Sequence, residues 1–155
     1  PGAMIETPAA ALALLDWLRL ADFVAIGCND LMQCLFAADR DNPAVAPLLD
    51  PYSPILFRFL RQMAHSAKQE QNRIQLGGLL SQIPGLLPVL IGLGFRNFSV
   101  EPLLTPCLAQ LCHTTETTAA EQLAGKVCAA TSTKDVRKLL NLPADLVWGG
   151  KPDRS

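Results

Sequence analysis

Two carboxylates and one guanidinium stand where they could act together. Glu6 closes a short apolar run, Ala3-Met4-Ile5, and Asp30 follows a second, Phe23-Val24-Ala25-Ile26, after Gly27, Cys28 and Asn29. Both runs read as buried strands. In parallel α/β folds, sites gather beyond the carboxyl ends of the strands. Neighbouring strands lie about 4.8 Å apart, so side chains on two adjacent tips share one rim. A hard divalent cation such as Mg²⁺ suits one or two carboxylates completed by substrate oxygens and water. Asn29 and Asp30 also open a helical stretch, whose free N–H groups and positive dipole end favour an anion. Arg40, ten residues past Asp30, could add a bidentate grip on a carboxylate or phosphate.

Each of these residues has a plainer reading. Asp30 taken alone reads as a helix cap. Arg40 taken alone reads as a surface partner of Asp39 or Asp41. Glu6 is harder to dismiss, because Thr7 already supplies an N-cap and Pro8 the first helical position. Two carboxylates at consecutive strand tips shift the reading toward a metal.

The elements that must position these residues alternate along the chain. Ala9 to Leu20 is Ala/Leu-rich and predicted helical, with Leu12, Leu15 and Leu18 on one face. Gly27 to Asp30 reads as a turn, Leu31 to Ala38 as a helix, and Asp39 to Pro54 as a Pro-rich loop. Pro54 to Gln69 is amphipathic, with Leu56, Phe59, Leu60, Met63 and Ala67 on one side. Strands are predicted at Arg73 to Leu76 and Asn97 to Val100, with a helix at Ile83 to Ile91 between them. Helices follow at Glu101 to Cys112, Thr117 to Ala130 and Thr133 to Leu140, the last starting on Thr133 and Asp135. The end, Trp148 to Ser155, reads as frayed. Strands separated by helices imply a parallel sheet. Four βα units fall short of the roughly 250 residues of a full (β/α)8 barrel. The fold class is therefore α/β, as a small open sheet or half of a barrel.

Composition narrows the functional classes. The chain has 155 residues, 50% hydrophobic and 17% charged, enough for one domain with a core and apolar enough to imply surfaces that something else covers. Net charge is −1 with no basic stripe, which argues against nucleic acid. There is no polybasic or amphipathic membrane signature. The longest apolar run, Ile83 to Phe95, is broken by Pro84, Gly85, Pro88, Gly92 and Gly94, and a bilayer span needs about 20 residues. The five cysteines include no C-x-x-C pair. They read as reduced thiols of a cytoplasmic protein, mostly core filler. Cys107, Cys112 and His113 read as neighbours on one helix rather than a metal fragment. The chain starts at Pro1 without Met or signal peptide, compatible with a piece of something longer.

Five segments carry a resemblance. Met4-Ile5-Glu6-Thr7-Pro8-Ala9-Ala10-Ala11 resembles M-[VI]-E-x-P-A-A-A, and Ile26-Gly27-Cys28-Asn29-Asp30-Leu31-Met32-Gln33 resembles I-G-T-N-D-L-x-Q. Ala37-Ala38-Asp39-Arg40-Asp41-Asn42 resembles A-[AV]-D-R-x-N. Pro51-Tyr52-Ser53-Pro54 and Gly92-Leu93-Gly94-Phe95-Arg96-Asn97-Phe98-Ser99 fit later segments of the same pattern, in the same order and spacing. The pattern is that of the Enzyme I family, the phosphoenolpyruvate–protein phosphotransferases of the bacterial sugar phosphotransferase system. The A-A-D-R-x-N stretch is closer to that family than to pyruvate phosphate dikinase or phosphoenolpyruvate synthase.

The resemblance implies the C-terminal half of a phosphoenolpyruvate-binding (β/α)8 barrel over residues 1–112, and a helical extension with a frayed tail over 113–155. It implies that Glu6 and Asp30 hold Mg²⁺, that Asn29 contacts the phosphoryl group and that Arg40 lines the same pocket. The phosphoryl group would pass to a histidine on a separate N-terminal domain, then to a phosphocarrier protein (HPr-like). Neither His65 nor His113 matches that histidine; both read as surface helix residues.

One departure stands out. The family's G-x-C-G-E supplies a Cys that protonates the enolate to give pyruvate. Here the aligned stretch is Gln75-Leu76-Gly77-Gly78-Leu79, so Gly77 holds the Cys position and Leu79 the Glu position. Glycine has no proton to give, and weak or absent turnover is expected. Cys28, where the family has Thr, is a candidate stand-in whose plainer role is packing. An isolated half barrel leaves open strand edges, so a homodimer is expected. Two other readings remain: a degenerate, non-catalytic barrel module for dimerisation or regulation, and a different Mg²⁺-dependent enolpyruvate enzyme such as an aldolase or lyase.

Overall fold

The computed structural model describes residues 1–143; the tail expected to fray, Trp148 to Ser155, lies outside them. Four short strands form one sheet: β1 (Gly2–Ile5), β2 (Phe23–Gly27), β3 (Ile74–Gly77) and β4 (Asn97–Phe98). They are all parallel and run in the order β1-β2-β3-β4. Pairing of Ile5 with Ile26, and of Gly27 with Gly77, sets the tips of the first three strands side by side. Each crossover carries helix, as parallel pairing requires. This is the architecture of half a (β/α)8 barrel followed by C-terminal helices. Among the described residues, β1 and β4 each keep one unpaired edge.

The first crossover is two helices, not one. Thr7 accepts the Ala10 N–H at 3.2 Å and Pro8 takes the first helical position, so α1 (Pro8–Leu12) starts as the sequence indicates. At Ala13 the backbone leaves helical geometry and α2 (Leu14–Leu20) begins anew. That break moves the buried face to Ala11, Leu14 and Leu18, leaving Leu12 and Leu15 exposed. The predicted Leu12–Leu15–Leu18 face assumed one unbroken helical phase.

Two aliphatic strands and a long helix make the core. Val24, Ile26, Ile74 and Leu76 of β2 and β3 are buried, as are Leu56, Phe57, Leu60 and Met63 of α4 (Pro54–Ser66). Each such side chain contributes roughly 1.5–3 kcal/mol on leaving water. Phe59, expected on that face, is only half-buried, and Phe57 takes its place. The chain then tightens into a 3₁₀ turn over Lys68–Arg73. Arg73 donates to the carbonyls of Leu18, Ala21 and Asp22, closing the C-terminal end of α2 where β2 begins.

The second half repeats the pattern. After β3, a 3₁₀ turn at Leu80–Gln82 leads into α5 (Leu86–Leu93). After β4, a 3₁₀ turn at Pro102–Leu104 leads into α6 (Thr105–Thr114). Then come α7 (Thr117–Ala129) and α8 (Thr133–Leu139). The cap of α8 is Ser132, which accepts the Asp135 N–H, one residue earlier than predicted. A Cβ on Gly92 would lie 2.0 Å from the Ala120 carbonyl oxygen, so α5 and α7 touch backbone to backbone. Ala120, Ala124 and Val127 of α7 are buried. No described helix is long and apolar enough to cross a membrane.

Candidate functional site at the tips of β1, β2 and β3

Helix α3 (Cys28–Phe36) springs from the last residue of β2. The predicted turn over Gly27 to Asp30 is therefore the first turn of a helix. Gly27 is its N-cap residue and offers no side chain, so no side chain caps α3, unlike α1. The leading N–H groups and the positive dipole end are left to face the rim.

Glu6 follows β1 directly and is exposed. A Cβ on Gly27 would lie 2.8 Å from Glu6 Cγ and 3.0 Å from Oε1. The Glu6 side chain thus lies across the tip of β2, where α3 departs toward Asp30. Glu6 meets no cationic side chain among the described residues. Asp30 is not the cap of α3 but sits inside its first turn. Its Oδ1 accepts Gln33 Nε2 at 3.1 Å and Arg40 Nη2 at 3.5 Å. Arg40 turns to Asp30 rather than to its chain neighbours; Asp39 instead accepts the Asp41 N–H.

Asn29 is locked from across the sheet. Its Oδ1 accepts the Leu79 N–H at 3.2 Å. A backbone N–H can only donate, so the amide oxygen must face Leu79 and the NH₂ group is left to donate elsewhere. Gly78 makes the approach possible: φ is +87°, and a Cβ there would lie 2.9 Å from Asn29 Oδ1. Asn29, Gln33, Arg40, Met32, Leu79 and Ile83 line a groove of about 130 Å³.

The donor set suits a hard divalent cation. Among the described residues no group of three or more His, Cys, Asp or Glu could hold a metal by itself. Two carboxylates with the remaining positions left to water and substrate oxygens is the pattern Mg²⁺ accepts.

Gly77 ends β3 beside Gly27. A Cβ on it would meet only the Ile26 carbonyl oxygen, at 3.4 Å, an ordinary contact. Leu79 is exposed. Cys28, the candidate stand-in, is buried, and burial pushes its thiol up to about 12. Its Sγ–H points back to the Ile26 carbonyl at 3.8 Å. The expectation of core cysteines holds for Cys28 and Cys128 only; Cys34, Cys107 and Cys112 are exposed and all five are free. The last two lie on α6, which buries no residue and so gives them no core to fill. His65 and His113 are exposed on α4 and α6.

Sequence reasoning missed Gln33 and Gly78 as working parts. Gln33 stands one helical turn after Asp30, a spacing that brings side chains together. Gly78 carried the signal of a Gly-Gly pair at a strand end.

The profile of the PEP-utilising enzyme, PEP-binding domain, matches residues 1–117. The chain belongs to the PEP-utilising enzymes. Multiphosphoryl transfer protein 1 of Escherichia coli K12 is 32% identical over 139 residues, 90% of this chain and 17% of that protein. The phosphoenolpyruvate-protein phosphotransferase of Buchnera aphidicola (subsp. Schizaphis graminum) is 31% identical over 140 residues, 90% of this chain and 25% of its own length. That of Cupriavidus necator is 40% identical over 101 residues, 65% and 17%. This PEP-utilising segment therefore spans between 17% and 25% of the length of these relatives. The resemblance to Enzyme I agrees with their names, and the matched stretch contains every rim residue described above.

Proposed function

We propose that this segment supplies half of a phosphoenolpyruvate and Mg²⁺ site in a phosphotransferase of the Enzyme I kind. The observation that supports it best is the rim itself. Glu6 folds over the tip of β2, next to an uncapped helix whose first turn carries Asp30. In this reading Glu6 and Asp30 hold Mg²⁺, which neutralises charge on the phosphoryl and enolate oxygens. The Asn29 NH₂ group donates to a phosphoryl oxygen. The α3 N–H groups stabilise the same anion, and Arg40 forks a carboxylate or phosphate oxygen. The phosphoryl group leaves for a histidine on another domain of the parent protein, and from there for a phosphocarrier partner in the cytoplasm. Residues 1–112 act as the barrel half and 113–155 as a C-terminal extension.

Calorimetry of the natural full-length protein with Mg²⁺ and phosphoenolpyruvate tests the site. Binding of phosphoenolpyruvate only when Mg²⁺ is present is the expected result; no binding under either condition ends the proposal. Pyruvate release linked to carrier phosphorylation separates it from an aldolase or lyase.

One observation favours a second reading. At Gly77 and Leu79 the tip of β3 carries neither a proton donor nor a carboxylate. A module that binds without turning over, and serves pairing or regulation, fits that tip. The open edges of β1 and β4 make pairing with a second copy the simplest closure. Light scattering that gives a well-folded monomer at micromolar concentration would contradict that pairing.

A further inference from the structure

Gln33 has both ends of its amide engaged, and each end holds a different part of the rim. Nε2 donates to Asp30 Oδ1 at 3.1 Å, and Oε1 accepts the Arg40 N–H at 3.0 Å. The orientation is fixed, because the Arg40 N–H only donates and the Asp30 carboxylate only accepts. The main chain of Gln33 works in the same place. After α3, Ala37 turns left-handed at φ 50°, and Ala38 N–H returns to the Gln33 carbonyl at 3.0 Å. That turn brings Arg40 back alongside Asp30, where its guanidinium reaches the same Oδ1 at a long 3.5 Å. Among the described residues, every protein partner of the Asp30 carboxylate falls on Oδ1, which leaves Oδ2 for other use.

We propose that Gln33 is a positioning residue that couples the cation half of the site to the anion half. The inference rests on the enolpyruvate and Mg²⁺ reading above. Gln33 holds Asp30 so that Oδ2 faces a cation. It also holds the Arg40 backbone, so the guanidinium can leave its weak contact with Asp30 for an anion without its loop moving. With Asp30 engaged elsewhere, the long Asp30–Arg40 contact competes less for the guanidinium. Cation and phosphoenolpyruvate then strengthen each other's binding, and by linkage the factor is the same in both directions.

The test uses Mn²⁺ as a spectroscopic stand-in for Mg²⁺, titrated into the natural full-length protein with and without phosphoenolpyruvate. Gln33→Leu removes both amide contacts. It is expected to reduce the factor by which phosphoenolpyruvate tightens Mn²⁺ binding by roughly 10-fold, with Tm little changed. Gln33→Glu keeps an acceptor for the Arg40 N–H and is expected to recover part of that factor. Unchanged coupling in Gln33→Leu overturns the inference. So does equal loss of coupling in both variants accompanied by a fall in Tm, which is the mark of a merely structural role. If the unaltered protein binds neither Mn²⁺ nor phosphoenolpyruvate, the site reading falls and takes this inference with it. That outcome is distinct from a variant result.

Discussion

The tips of β1 and β2 and the tip of β3 belong to one sheet and one register, yet they are equipped differently. The first pair presents Glu6, Asn29 and Asp30 around an uncapped helix. The third presents Gly77, Gly78 and Leu79, which offer no polar side chain. Even so, β3 still contributes: the Leu79 N–H and the left-handed Gly78 hold Asn29 in place. The contrast teaches that a strand end can scaffold a neighbour's polar residues while presenting no reactive side chain of its own. Scaffolding needs a backbone conformation, whereas proton transfer needs a particular atom.

The most forceful way to break the contrast is to give β3 a thiol. A Cβ at position 77 has room, so Gly77→Cys should fold. Pyruvate formation by the full-length protein is expected to rise about 10²–10⁴-fold, the usual worth of a positioned general acid. No gain in an assay of pyruvate release would place the acid elsewhere. Next in size is loss of the cation. Asp30→Asn and Glu6→Gln should each weaken Mn²⁺ binding at least about 100-fold, the upper end of what outer-shell changes cost. Retention of affinity in either variant, followed by electron spin resonance, would remove that residue from the site.

A smaller effect is expected at the scaffold. Gly78→Ala puts a side chain on a left-handed backbone, which costs about 1–2 kcal/mol, and drives it into Asn29. A lower urea midpoint and weaker phosphoenolpyruvate binding with Mn²⁺ affinity kept would sharpen the division of labour. Equal loss of both ligands would blur it. The smallest effect concerns Cys28, the nearby thiol that could blur the contrast by acting as the acid. Burial pushes its thiol from an ordinary 9.0 up to about 12 in the folded chain. Above the unfolded value the unfolded state binds fewer protons, so this thiol's share of stability shrinks as pH rises from about 9 toward 12. Relative to Cys28→Thr, the natural chain should lose about 1 kcal/mol by pH 10. Parallel pH–stability curves for the two proteins would show that Cys28 ionises freely, contrary to its buried position.

Local pattern carried the order of elements but not their junctions. The alternation of strand and helix, the Thr7–Pro8 cap and the parallel sheet were all legible, because each depends on neighbours in sequence. The break at Ala13 was not: nothing in an Ala/Leu run marks where the chain must re-aim onto a sheet. Reading Gly27 to Asp30 as a turn treated Gly as punctuation, whereas here it leaves space for Glu6. The same limit hid Gln33. Its spacing from Asp30 is helical and visible, but its second partner, the Arg40 N–H, depends on the left-handed turn at Ala37. An alanine there gives no warning of positive φ.

The bare contact between Gly92 and Ala120 sets how the chain may be cut. The family profile stops at Thr117, the first residue of the helix that lies on α5. Severing the chain there would strip a lid from an apolar helix and wet a surface built without side chains to spare. The length that can be transplanted intact is therefore longer than the length the family profile covers.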